Sequence, residues 1–168
     1  GMIKDALIDG TKKYRYMLMR QWGDNRNNFV NFVMLNPSTA DAKKDDRTIE
    51  SCIRLTRNWG FDGFYVTNLF ALRATHPKVL KDSDDPVGID NDKFINKYAR
   101  SCKLVVLAWG NHGSLHNRNQ IVLEKLNKII TPYCLNKTKL GHPSHPLYTK
   151  RNTKPIKYWR SLTQISPC

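Results

Sequence analysis

Acidic residues are scarce in this sequence: 14 Asp and Glu stand against 28 Lys and Arg, a net charge of +14. A surplus of that size argues against a basic partner and for an anionic one, most often nucleic acid. Long hydrophobic runs are missing as well. No apolar stretch approaches the ~20 residues of a membrane helix, and the first thirty residues lack the apolar core of a secretory signal. The expectation is therefore a cytoplasmic protein with no membrane partner. Cysteine is sparse and scattered: Cys52, Cys102, Cys134 and Cys168 form no C-x-x-C pair, so reduced structural thiols are expected. His112 and His116 stand four apart, the spacing of two ligands on one helical face. Gly110 and Gly113 place His112 in a loop instead, and neither a metal nor another cofactor is expected. Internal repeats and low-complexity segments are absent.

What is present is enough for one domain spanning 1–168, since 168 residues with 40% hydrophobic content can bury a full core. Tyr14 to Arg20 alternates and reads as a strand, with Gly23-Asp24-Asn25 turning into a second strand, Phe29 to Leu35, to form a hairpin. Asp46-Arg47-Thr48 can cap a helix carrying Ile49, Cys52, Ile53, Leu55 and Trp59, which Gly60 ends. Phe64 to Leu69 is the next buried strand. Lys81 to Asp92 reads as an acidic loop, followed by a helix with Phe94, Ile95, Tyr98 and Ala99, capped by Asp90. Leu104 to Trp109 is the most hydrophobic run and reads as a central parallel strand. Ile121, Val122, Leu126, Ile129 and Ile130 mark an amphipathic helix, and Pro132 to Leu135 a short last strand. Strands alternating with helices define an α/β protein with helices on both faces of the sheet.

In that architecture ligands bind beyond the carboxyl ends of the strands, where loops and helix N-termini converge. Asn36 leaves one strand just before Pro37, which has no N–H and ends the ladder. Asn68 leaves another within Thr67-Asn68-Leu69-Phe70-Ala71-Leu72-Arg73, where an amide can read a base edge and Phe70 can stack on its face. Asn111 and His142 leave at the same rim. The blander reading makes Asn36-Pro37-Ser38-Thr39 a turn with a helix cap, Asn68 a loop-backbone partner and Phe70 a core residue. Basic residues crowd Lys137 to Arg160, interleaved with Tyr148, Tyr158 and Trp159, the mixture that phosphate neutralisation plus base stacking requires.

Leu35-Asn36-Pro37-Ser38, Thr67-Asn68-Leu69, Leu107-Ala108-Trp109-Gly110 and the His142-Pro143-Ser144 loop with its Pro146-Leu147 resemble, in that order, the motifs of the uracil-DNA glycosylase superfamily over about 29–148. More closely, Leu35 to Asp41, Asn68 to Thr75 and Gly141 to Tyr148 resemble a bacterial and phage family, the domain of unknown function numbered sixteen forty-three. The first resemblance implies a three-layer sandwich with a central, mainly parallel four-stranded sheet plus an N-terminal antiparallel strand or hairpin. It implies catalytic roles for Asn36, positioning the attacking water, and His142, stabilising charge on the departing base. It makes Asn68 the base reader, Ser144 a phosphate contact, and Leu147 or Tyr148 the filler of the gap in the stack. Ser38, Phe70, Arg73, Asn111 and His145 complete the expected base or substrate contacts.

The departures are specific. Many uracil enzymes carry an aspartate where Asn36 stands and an aromatic where Ser38 stands, and His145 interrupts the usual loop. Asp41, Asp45 and Asp46 are near in sequence, but spacing does not say which faces the crevice. The four cysteines do not match an iron–sulfur pattern. The expectation is a base-handling enzyme that hydrolyses an N-glycosidic bond in DNA or a nucleotide, with nucleic acid, DNA ahead of RNA, or a nucleotide as partner. The alternatives are a non-catalytic nucleic-acid-binding module on the same fold, or an enzyme of small nucleotides.

Overall fold

In the computed structural model, which describes residues 1–159, seven strands form one mixed sheet in the order β1-β2-β4-β3-β5-β6-β7. The strands are β1 (Ile3–Ile8), β2 (Arg15–Gln21), β3 (Phe29–Met34), β4 (Gly63–Asn68), β5 (Leu104–Leu107), β6 (Tyr133–Cys134) and β7 (Ile156–Lys157). β4, β3, β5 and β6 run parallel to their neighbours, while β2 joins β4, β1 joins β2 and β7 joins β6 antiparallel. The sheet is thus larger and more mixed than the four-stranded parallel one expected. The expected hairpin between β2 and β3 does not form. β4 lies between them, and the N-terminal hairpin is β1 with β2. Periodicity identifies a strand but not its partner, and β2 finds β4 through the register Leu18↔Val66 to Gln21↔Gly63. Gly63 is required there, because a Cβ would lie 2.6 Å from Arg20 O and 2.5 Å from the Phe29 ring.

Side-chain alternation along β3 divides the core. Val30, Phe32 and Met34 pack with Ile49, Cys52 and Leu55 of helix α1 (Arg47–Asn58) on one face. Val33, with Val105 and Leu107 of β5, packs on the other face against Ile95 and Ala99 of α3 (Asn91–Ser101) and Val122 and Leu126 of α4 (Arg118–Asn127). Helices on both faces is therefore the observed layering. A short helix, α2 (Pro77–Asp82), not expected from the sequence, runs into the first two residues of the stretch read as loop; its six residues are too few for a periodic signal. Asp90 stands at the N-cap of α3, but its side chain makes no cap hydrogen bond. The stretch Pro132 to Leu135 contains β6 and is not the last strand, because β7 follows it from within the basic segment. That segment is tied to α1: Asn58 Nδ2 donates to Arg151 O and Trp59 Nε1 to Thr153 O. Arg160 and Cys168 lie outside the described residues.

Candidate functional site

The parallel registers fix where the cleft lies. Met34 of β3 pairs with Asn68 of β4 and Val33 with Leu107 of β5, so the three strands end at one edge. The ladder runs a little further, with Leu69 N donating to Met34 O, Phe70 N to Leu35 O and Ala108 N to Val33 O. Beyond it opens a cleft of about 560 Å³, the size of a small-molecule site. Its lining includes Asn36, Ser38, Asn68, Asn111, Ser144, His145, Leu147 and Tyr148. Eight of the eleven residues expected at the site meet there, and three do not. Phe70 is fully buried in the core, with its ring 6.2 Å from His116. Arg73 reaches Lys12 O at 3.4 Å. His142 is buried in the neighbouring loop, its N–H donating to Thr138 Oγ1 and its carbonyl accepting from Thr138 N. It does not line the cleft, and the histidine that does from that loop is His145.

Several cleft groups are fixed in ways that decide what they can offer. Asn36 commits its Nδ2 to Pro37 O and Ala74 O at 2.9 and 2.8 Å, which leaves Oδ1 as the atom available to a ligand. Asn111 Oδ1 accepts from Thr138 Oγ1 at 2.7 Å, leaving its amide N–H groups. His145 Nδ1 accepts the N–H of Leu147 at 3.2 Å, so the neutral ring carries its proton on Nε2. Burial, opposed by Asp46, holds that imidazole below its ordinary pKa and keeps it neutral. Trp109 lies over Gly113, where any Cβ would run into its ring.

Lining residues that the sequence pattern did not single out include Arg15, Thr48 and Trp109, and it left Asp46 undecided. Of the three carboxylates left open above, Asp45 pairs with Arg20 and Lys4, and Asp41 accepts the N–H groups of Lys43 and Lys44. Only Asp46 lines the cleft, where its Oδ1 also caps α1 through Ile49 N at 2.9 Å. Eight buried side-chain N or O atoms lack a hydrogen-bond partner among the described residues. Three of them, Arg15 Nε, Asn68 Oδ1 and Trp109 Nε1, belong to cleft residues. Buried polar atoms are nearly always paired, and the other five belong to residues outside the cleft lining. No group of three or more His, Cys, Asp or Glu residues suited to a metal ion occurs among the described residues.

The mixed sheet, the helices on both faces and the polar cleft at the strands' carboxyl edge define an α/β protein with an open cleft at the rim of its sheet. Among known families, the profile of the one described as a protein of unknown function (DUF1643) matches residues 15–147, and the chain belongs to that family. No curated protein and no solved structure matches the chain.

Proposed function

We propose that the cleft holds a nucleobase and that the protein hydrolyses an N-glycosidic bond in DNA or in a nucleotide, as the likeness of its rim motifs to uracil-DNA glycosylases implies. The observation that carries this reading is the pair of buried, unpartnered groups at the cleft, the Asn68 Oδ1 acceptor and the Trp109 Nε1 donor. A base edge offers complementary donors and acceptors. Asp46 acts as the carboxylate that the sequence comparison found missing at Asn36, and Asn36 Oδ1 accepts from the same attacking water. The water oxygen bonds to the sugar's anomeric carbon, its proton passes to Asp46, and the C–N electron pair leaves with the base. His145 Nε2–H supplies the donor to the departing base that the motif comparison assigned to His142.

Asp46→Asn is the decisive variant, because asparagine caps a helix about as well as aspartate but cannot take a proton. Incubation with DNA containing uracil, mismatched thymine, hypoxanthine or alkylated bases, followed by alkaline cleavage of abasic sites, should show breaks that fall about 10²–10⁴-fold in Asp46→Asn. Unchanged breakage in that variant rules out Asp46 as the base. Salt-sensitive DNA binding with no breakage by the wild type supports the non-catalytic binding module instead.

A further inference from the structure

Two arginines of β2 are buried, and they are treated differently. Arg20, 0% exposed, is saturated: Nε pairs with Asp45 at 2.7 Å, Nη1 donates to Met19 O, and Nη2 donates to Asp41 O and Lys44 O. Arg15, 4% exposed, donates through Nη1 to Ala40 O at 2.9 Å; its Nε has no partner, and among the described residues it has no carboxylate within 4.0 Å. A buried guanidinium without an ion pair is expensive unless something else satisfies it. Burial pulls its pKa down to about 10, with Asp46 and Asp41 opposing and Arg73 and Arg20 adding to the fall, so the group stays charged at neutral pH.

The surroundings of Arg15 are suited to an anion. Ser38 and Thr48 bring hydroxyls to the same cleft, and Thr48 belongs to the first turn of α1. Within that turn Asp46 takes the N–H of Ile49 on Oδ1 and that of Glu50 on its backbone O, leaving those of Arg47 and Thr48 as the helix's remaining N-terminal donors. Asp46 is the opposing charge and weakens any anion bound there.

We infer that Arg15, Ser38, Thr48 and the first turn of α1 form an anion subsite whose ligand is the terminal phosphoryl group of a nucleotide. A guanidinium fork with hydroxyls and helix N–H groups matches phosphate oxygens. Arg15 is buried while Tyr148 at the cleft is 86% exposed, which favours a phosphoryl group at a chain end over one inside a continuing backbone. This inference rests on the proposed function for its substrate class, but phosphate binding is measured without turnover, so each fails separately.

The test follows the Arg15 Nε–Hε resonance of the full chain by NMR while inorganic phosphate, nucleoside 5′-monophosphates and the parent nucleosides are titrated in. Phosphate should shift that signal saturably, and monophosphates should bind about tenfold or more tighter than nucleosides. Arg15→Lys, which loses the fork, should weaken monophosphate binding about tenfold, and Asp46→Asn should tighten it. Should Arg15→Lys fail to fold, Thr48→Val should give a smaller weakening of the same kind. A signal unmoved by phosphate, or equal affinity for nucleosides and monophosphates, overturns the subsite. An oligonucleotide lacking a 5′-phosphate that shifts the signal as strongly as a monophosphate overturns its assignment to a terminal group.

Discussion

At the scale of single residues, the cleft is described best by what its side chains leave unsatisfied. Asn68 is 1% exposed with a carbonyl oxygen that meets no donor, an arrangement that costs stability unless a ligand repairs it. Asn68→Leu, close in volume and without the orphan oxygen, should therefore leave the thermal midpoint unchanged or raised while abolishing base release; calorimetry paired with an activity assay checks it. His145 gives a pH dependence. Its folded pKa lies below the ordinary 6.5, so below about pH 6.5 the unfolded chain binds a proton that the native ring resists. Stability is full above that value and falls as the pH drops through it. Thermal midpoints taken from about pH 7.5 to about pH 5.5 should show the decline, and His145→Gln should flatten it.

The same scale shows which site residues were legible. Asn36, Asn68 and Asn111 are legible because each stands at or just past the end of a strand, and strand ends are readable from apolar runs. Phe70 and Arg73 follow β4 too, but two and five residues past its end the chain has turned, taking Phe70 into the core and Arg73 to Lys12 O. Arg15 was hidden by its position in an alternating strand that is in fact buried along all seven residues. Its partners in the alternation, Met17 and Met19, were the available signal, since an arginine in register with apolar residues faces something enclosed. Asp46 could not be separated from Asp41 and Asp45 by spacing, because their roles differ only in which way a short loop turns.

Among elements, the helices were the easier part to read. α1 has a capping aspartate, an apolar stripe and a terminal Gly60 at φ +83°, three agreeing signals. Because one carboxylate both caps α1 and lines the cleft, the two roles can be separated: Asp46→Ala should destabilise the fold by about 1 kcal/mol, whereas Asp46→Asn should not. α3 and α4 are joined through Arg118, which donates to Leu69 O from Nε and Nη2 and meets Asp92 at 2.7 Å; Asp92 also pairs with Lys125. Removing a buried guanidinium from such a set, as in Arg118→Met, should lower stability by about 2–3 kcal/mol in urea unfolding. Strand pairing was less legible than strand existence. β1 carries charge within its six residues, α2 and β7 are too short for a pattern, and the neighbour of β2 is set by contacts more than forty residues away in sequence.

For the whole molecule, the excess of positive charge is what the proposed anionic ligand of the cleft would require. Of the exposed aromatics of the basic segment, Tyr148 borders the cleft, while Trp159 is held beneath Lys137, whose Nζ lies 5.4 Å from its ring and donates to its backbone carbonyl. Tyr158, the third aromatic of the basic segment, is buried and bonds to Gly141 O. The central claim is that this cleft cuts the bond between a base and its sugar. The most direct measurement is chromatographic detection of free base after incubating the wild-type chain with a panel of nucleoside 5′-monophosphates and base-modified oligonucleotides. The account predicts that one base appears, with loss of at least about 10²-fold in Asp46→Asn at unchanged thermal stability. Saturable binding of those ligands with no base released from any of them would contradict it.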